Sequence, residues 1–130
     1  MVATPDPLHF CIPTLAQMNW TPLTDLTQLD AIDDASRTRP ILLFKHSTSC
    51  SISRAALARL ERAWTDEDTK AHAVYYLDLW KHRPISNAIA ERYRVTHESP
   101  QVLVIVDGRC VHHASHLSIT YADAKNALAA

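Results

Sequence analysis

The sequence predicts an α/β fold built as one layered domain. Three observations favour this class: short apolar runs of strand length, amphipathic segments of helix length between them, and a tight-turn signal late in the chain. The 130 residues suit a single domain, and 47% hydrophobic with 21% charged residues is ordinary for a globular protein. We therefore expect helices packed on a central sheet.

The predicted elements follow from local signals along the chain. Thr24-Asp25 is a helix-start signal, Pro84 suits a first helical turn, and Asp107-Gly108 is a hairpin signal. In chain order the elements are a helix over 24–35, a strand over 41–45, a helix over 51–64, a strand over 74–79, a helix from 84, strands over 102–106 and 110–114, and a C-terminal helix. Residues 65–70 are predicted to be a polar connection.

The order of these elements predicts the arrangement of the strands. Strands separated by helices favour parallel neighbours with right-handed crossovers, and the final hairpin adds an antiparallel edge. The result is a central mixed sheet of four strands with helices on both faces, which is a thioredoxin-like arrangement. We assign residues 20–130 to this domain and residues 1–19 to an irregular N-terminal lead-in.

Composition excludes several classes of function. The net charge of −1 provides no field that would select nucleic acid or an anionic membrane as a partner. No apolar stretch approaches the roughly 20 residues of a membrane span, and the N-terminus lacks the features of a secretory signal, so we expect a cytoplasmic protein. Because Gly108 is the single glycine, glycine-rich phosphate loops are excluded, and we expect no tightly bound cofactor.

The cysteines indicate free thiols rather than a disulfide framework. Cys11, Cys50 and Cys110 are odd in number and widely spaced, which fits a reducing compartment. Cys50 is not part of a Cys-x-x-Cys motif, because Ser53 occupies the third position after it. Cys110 is predicted to be a small buried hydrophobic residue. Cys11 could act as a resolving thiol, although nothing in the sequence fixes that geometry.

Cys50 is the candidate nucleophile. It lies between the apolar strand that begins at Ile41 and a segment rich in helix formers, and the N–H groups of a helix start favour a thiolate there. The small polar residues Ser49 and Ser51 leave its sulfur accessible. The alternative interpretation is an inert, buried cysteine.

Pro100 is the second candidate site residue, because it directly precedes a buried strand. A cis bond there would face the thiol and leave the backbone of Ser99 available to an extended substrate. The alternative is a trans proline that only ends the preceding helix, and base rates favour it.

The remaining histidines and tryptophans have structural interpretations. His112 and His113 are adjacent on a strand and therefore face opposite sides of it, so with His116 they predict no metal site. The three tryptophans are widely spaced and are predicted to pack in the core or at its edge. They do not alternate with basic residues, so they do not indicate a nucleic-acid-binding surface. They are Trp20, Trp64 and Trp80.

Several segments together resemble the monothiol bacilliredoxins, a family of thioredoxin-like proteins of the bacillithiol system. The resemblance runs from about Trp20 to the C-terminus, and its segments keep their order. They are Phe44 to Ser53, Tyr76 to Leu79, Arg83 to Tyr93, His97 to Val102, the Gly108 hairpin, and His113 to His116. One position departs from the family pattern Thr-Cys-Pro-Ile-Ser, because Ser51 follows Cys50 where the family usually has proline.

The resemblance implies a specific activity and site. It implies a thioredoxin fold, a nucleophile at Cys50, a cis proline at Pro100, and substrate contacts at Ser49, Ser51, Ser99 and Pro100. The implied reaction removes bacillithiol, or another low-molecular-weight thiol as co-substrate, from S-thiolated client proteins. A further thiol then regenerates Cys50. The resemblance implies no nucleic-acid or membrane partner.

Two other functions remain open from the sequence. A thioredoxin-like interaction module without turnover fits the missing second cysteine and the Ser51 departure. A redox sensor, in which Cys50 is modified under oxidant, fits a single exposed thiol.

Overall fold

The computed structural model describes residues 18–129. This part of the chain contains five strands and five α-helices, in the order β1 (Thr21–Pro22), α1 (Gln28–Ala35), β2 (Ile41–His46), α2 (Ser51–Ala63), α3 (Asp66–Ala71), β3 (Ala73–Asp78), α4 (Arg83–Tyr93), β4 (Gln101–Val106), β5 (Arg109–Ser115) and α5 (Tyr121–Ala129). A 3-10 turn over His116–Ser118 joins β5 to α5. Apart from residues 18 and 19, the predicted lead-in lies outside the described residues. No helix among them is long and apolar enough to cross a membrane.

The α/β class is confirmed, but the sheet has five strands rather than the predicted four. Its order is β1-β3-β2-β4-β5. The additional strand, β1, consists of Thr21 and Pro22, which pair in parallel with Tyr75 and Tyr76 at the sheet edge. Two residues that include a proline carry no strand pattern in sequence, since proline is tolerated only where no ladder hydrogen bond is needed.

Strand directions follow the prediction in part. β3 runs parallel to β2, and β5 runs antiparallel to β4. β4 follows a helix, yet it runs antiparallel to β2, so the rule that helix-separated strands are parallel is wrong at this connection. The predicted hairpin turn is present, because Asp107 and Gly108 both have positive φ, 51° and 73°, between the paired residues Val106 and Arg109.

Helices cover both faces of the sheet, and β2 is buried between them. Ile41 and Leu43 face the apolar cluster formed with α1 and α4, while Leu42 and Phe44 face the cluster formed with α2 and α5. All six residues of β2 are buried. This alternation continues into two polar residues, so Lys45 lies on the α4 side and His46 on the α2 side.

Residues 65–70 were predicted to be a polar connection, and this prediction is wrong because most of them form α3. Thr65 caps the helix through a reciprocal pair with Asp68: the Asp68 N–H donates to Thr65 Oγ1, and the Thr65 N–H donates to the Asp68 carboxylate. Thr-x-x-Asp is the capping-box pattern that the sequence already displayed. Asp68 is fully buried and also accepts hydrogen bonds from Tyr121 and Lys125 of α5.

Replacing the buried Asp68 by Asn will lower the free energy of unfolding at neutral pH by about 2 kcal/mol, because Lys125 loses its charged partner. Burial alone would raise the pKa of Asp68, but hydrogen bonds from Lys125, Tyr121 and Thr65 outweigh it and lower the pKa to about 2. The stabilisation is therefore present above pH 4 and lost as the pH falls toward 2. Urea unfolding of wild type and Asp68→Asn, at neutral pH and at pH 2, measures this difference in the free energy of unfolding. The exposed Asp66→Asn is the control, and a difference from wild type that persists at pH 2 would contradict the assignment.

Candidate active site

Cys50 occupies the N-cap position of α2, at the end of the loop that leaves β2. Its backbone is extended (φ −104°, ψ 123°), its N–H donates to the Ser47 carbonyl at 3.1 Å, and its own carbonyl accepts the Arg54 N–H at 3.1 Å. The side chain is half-buried and forms no disulfide among the described residues. The strand–cysteine–helix junction predicted from the sequence is therefore present, with the thiol at the start of a helix.

Three hydrogen bonds hold the loop that carries Cys50. Ser53 Oγ, inside the first turn of α2, accepts the Ser47 N–H at 3.0 Å and lies 2.6 Å from His46 Nδ1. Arg54 Nη1 donates to the Thr48 carbonyl at 2.9 Å. Burial is the main cause that lowers the pKa of His46, with Asp78 opposing and Arg54 reinforcing the shift. A neutral His46 can accept a hydrogen bond from the Ser53 hydroxyl at Nδ1, and this bond fixes the loop against the helix.

Cys50 opens into a pocket of about 280 Å³. Its other lining residues come from four segments of the chain: Ser47 from the Cys50 loop, Leu79 and Trp80 after β3, Arg83 at the start of α4, and His97 and Ser99 before β4. The pocket is large enough for part of a small thiol or one side chain of a protein. It is lined by hydroxyl groups, one guanidinium, one imidazole and one indole.

The Ser99–Pro100 segment lies beside Cys50, as the sequence predicted. The Ser99–Pro100 peptide bond is cis. Ser99 lines the Cys50 pocket, and its buried hydroxyl has no hydrogen-bond partner among the described residues. Pro100 is buried, and its carbonyl accepts the His116 N–H at 3.1 Å. The segment therefore lines the pocket through Ser99, while the Ser99 hydroxyl itself is buried.

The other two predicted substrate contacts lie at the rim rather than in the pocket. Ser49 is exposed, and its hydroxyl accepts the Trp80 Nε1–H at 2.9 Å. Ser51 is exposed at the first position of α2 and is not among the pocket-lining residues. Trp80 was predicted to be core or edge packing, but its side chain is 69% exposed and forms one wall of the pocket.

Two titratable side chains near the pocket, those of Lys45 and His97, were not among the site residues predicted from the sequence. His97 lines the pocket, and Lys45 contacts His97. Lys45 is fully buried, and burial lowers its pKa to about 8. Its Nζ lies 3.4 Å from His97 Nδ1 and 3.4 Å from the Ser86 carbonyl. Burial, and then the positive charges of Lys45 and Arg83, lower the pKa of His97, while Glu98 opposes them.

Cys110 is remote from Cys50. It pairs with Ile105 at the end of β4 opposite Pro100, four residues and about 13 Å along the strand from Gln101. Its Sγ donates to the His112 carbonyl at 3.2 Å, and burial raises the pKa of its thiol. Cys11 lies outside the described residues.

The histidine prediction agrees with the register of β5. His112 pairs with Val104 and His113 with Leu103, so the two side chains face opposite sides of the sheet. Within residues 18–129 no group of three His, Cys, Asp or Glu side chains could hold a metal ion.

The fold and the position of Cys50 define the class: a thioredoxin-fold protein with a single cysteine at the start of the helix after the central strand. Solved structures agree on the fold. One described as a candidate oxidoreductase with a thioredoxin fold is 26% identical, with a TM-score of 0.74, over 87% of this chain and 96% of that one. Thioredoxin from Malassezia sympodialis is 10% identical with a TM-score of 0.65, over 85% and 88% of the two chains. Thioredoxin from Fasciola hepatica is 17% identical with a TM-score of 0.62, over 83% and 95%.

A match to a protein-family model identifies the particular family. The model of the monothiol bacilliredoxin BrxC matches residues 21–124, and the chain belongs to this family. The resemblance drawn from sequence segments is therefore confirmed. Family membership, together with the oxidoreductase neighbour of the same fold, supports a thiol redox role for the chain.

Proposed function

We propose that the chain is a monothiol thiol–disulfide oxidoreductase that removes bacillithiol, or a similar small thiol, from mixed disulfides on client proteins. The observation that carries the proposal is the pocket shared by Cys50 and Ser99, which puts a half-buried thiol at a helix start beside the cis Ser99–Pro100 segment. The reaction suits a reducing compartment, and we propose the cytoplasm as its location.

The reaction proceeds by two exchanges at one sulfur. The Cys50 thiolate attacks the bacillithiol sulfur of the mixed disulfide, a new S–S bond forms, and the client sulfur leaves with the electron pair of the broken bond. A proton then converts the client thiolate to a thiol. A second small thiol, as thiolate, then attacks the bacillithiol sulfur of the Cys50 adduct, which forms a disulfide of the two small thiols and releases Cys50 as thiolate. Because Cys110 is remote, this second thiol comes from solution in the mechanism we propose.

The residues around Cys50 have distinct roles in this proposal. The cis Ser99–Pro100 segment forms the wall against which an extended client segment lies, and the Ser99 backbone is available to pair with it. Trp80 provides an exposed apolar wall, and its bond to Ser49 holds the ring in place. Arg83 is an exposed cation at the rim that can pair with a carboxylate of a small thiol. Ser51 leaves the N–H at the first helical position available beside the sulfur, where proline has none.

Transfer of the small thiol between two proteins tests this function. Reduced protein is mixed with one equivalent of an S-bacillithiolated client, and the intact masses of both proteins are followed. We expect the client to lose the mass of one bacillithiol and this chain to gain it. A parallel reaction with an S-glutathionylated client measures the preference for the small thiol. A client that keeps its adduct in both reactions would overturn the proposal.

A further inference from the structure

We propose that Lys45 and His97 form a proton relay. The relay protonates the sulfur that leaves when the Cys50 thiolate attacks a disulfide bound in the pocket. This inference rests on the proposed function, and it assigns a catalytic role to His97 and a positioning and proton-supplying role to Lys45. Neither role follows from the resemblance of the sequence segments.

The first observation is a buried cation in a core position. Lys45 continues the alternation of Ile41 and Leu43 toward α1 and α4, where an apolar side chain is expected, and it is 0% exposed. No ion pair with a carboxylate involves Lys45 within residues 18–129. Burying an unpaired ammonium is unfavourable, so its presence beneath a pocket indicates a functional use.

The second observation is that Lys45 connects to the pocket through one side chain. Its Nζ lies 3.4 Å from His97 Nδ1, and the hydroxyl of the buried Ser86 lies 3.1 Å from the same nitrogen. Both neighbours can donate to Nδ1, so we assign Nδ1 as the acceptor and place the ring proton on Nε2. His97 lines the pocket together with Cys50, and Nε2 is the ring nitrogen left to serve it.

This arrangement can transfer a proton without leaving a charge on the imidazole. As the Cys50 thiolate forms the new S–S bond, the old bond breaks and its electron pair remains on the leaving sulfur. The Nε2 proton moves to that sulfur while Nδ1 takes a proton from the Lys45 ammonium, which becomes an amine. Water then returns a proton to Lys45 through His97.

The acidity of Lys45 suits this step. A lysine with its ordinary pKa of 10.5 would be a weak acid toward a thiolate, whereas burial has lowered the pKa of Lys45 to about 8. An ordinary alkyl thiol has a pKa near 8.5, so the proton is exchanged between groups of similar basicity, where general acid catalysis is efficient. The charged groups that face His97 are Lys45 from β2, Arg83 from α4 and Glu98 beside it in the loop.

Two disulfides that differ in their leaving thiolate separate this relay from other roles. One probe is a glutathionylated peptide, whose cysteine thiolate is basic and benefits from a proton. The other is the aromatic disulfide of 5-thio-2-nitrobenzoate, whose weakly basic thiolate leaves without one. Single-turnover rates with reduced wild type, Lys45→Met, His97→Leu and His97→Gln are measured with both probes. His113→Gln, on the exposed side of β5, is the matched control.

We expect Lys45→Met, His97→Leu and His97→Gln each to slow the peptide reaction about tenfold or more, and the aromatic reaction less than about twofold. Equal slowing with both probes would overturn the relay, because it would show an effect on the Cys50 thiolate alone. Full activity in His97→Gln would also overturn it, since an amide keeps the N–H but cannot pass a proton. Unchanged peptide rates in all variants would do the same. A wild type that reacts with neither disulfide would instead refute the proposed function itself.

Discussion

Replacing Cys50 by Ser will lower the rate of thiol–disulfide exchange about a thousandfold or more, to the uncatalysed background. A serine hydroxyl stays protonated at neutral pH and cannot form a disulfide, while the backbone bonds of residue 50 to Ser47 and Arg54 do not depend on its side chain. The fold is therefore expected to survive. Release of a small thiol from a client, measured by mass or by a fluorescent reporter, gives the rate.

Cys110→Ser is the matched control for this prediction. Cys110 pairs with Ile105, at the end of β4 opposite Pro100, and burial raises the pKa of its thiol, so ionisation disfavours it as a nucleophile. We expect the exchange rate of Cys110→Ser to remain within about twofold of the wild-type rate, because the substitution is small and remote from Cys50. Loss of activity in Cys110→Ser, with activity kept in Cys50→Ser, would contradict the assignment of the nucleophile.

The same pair of variants separates the two other functions that the sequence left open. An interaction module would bind its clients equally well with Ser at position 50 and would show no turnover in the wild type. A redox sensor would accumulate a stable adduct on Cys50 after oxidant and release it slowly. Client binding and adduct lifetime therefore accompany the rate measurements.

Replacing the buried Lys45 by Met will raise the free energy of unfolding at pH 7 by about 3 kcal/mol while impairing exchange with alkyl disulfides. The pKa of Lys45 falls from its usual 10.5 to about 8, and this shift corresponds to about 3 kcal/mol of unfavourable burial of the ammonium. Met has nearly the same length, fits an apolar core and contains no charge to bury. Replacing a buried charge by an apolar side chain is often stabilising by this amount.

The pH dependence of this gain has a definite sign. Below pH 8 Lys45 is charged in both folded and unfolded chains, so the full penalty acts on the folded state. Between pH 8 and about 10.5 the unfolded chain binds more protons at this site than the folded one, so the stability of the wild type rises with pH. The advantage of Lys45→Met therefore shrinks over that interval.

Denaturant unfolding of both proteins at pH 7 and pH 10 measures the effect, with the exposed Lys70→Met as the control. We expect the control to differ from wild type by no more than about 0.5 kcal/mol. A destabilised Lys45→Met at pH 7 would show that Lys45 stabilises the fold. An advantage that is equal at both pH values would show that the gain does not come from removing a buried ammonium, and either result would contradict the prediction.

The sequence predicted those parts of the fold that depend on local pattern. The apolar run beginning at Ile41, the Pro84 helix start and the Asp107-Gly108 turn each have a short-range physical signal, and each is present. β1 was missed because two residues have no periodicity. The antiparallel direction of β4 was missed because strand direction depends on which neighbour a returning strand joins, which is a property of the whole sheet.

For the candidate site too, the sequence predicted only the residues that have a local signal. Cys50 and Pro100 were proposed as site residues because a cysteine at a strand–helix junction and a proline before a buried strand can be recognised in the sequence. Trp80 and His97 were not assigned to the site, since each reaches the pocket from a segment far from Cys50 in sequence. Lys45 was not assigned to the site either, because its direction toward α4 required the register of β2.

The central claim is that Cys50 itself receives the small thiol, and the location of the adduct tests it most directly. Wild-type protein is reacted with one equivalent of an S-bacillithiolated client, quenched by alkylation within the first turnover, digested and mapped by mass spectrometry. We predict that the bacillithiol mass is found on the peptide that contains Cys50, while Cys110 and Cys11 are alkylated as free thiols. Bacillithiol on Cys110 or Cys11, with Cys50 alkylated as a free thiol, would contradict the account.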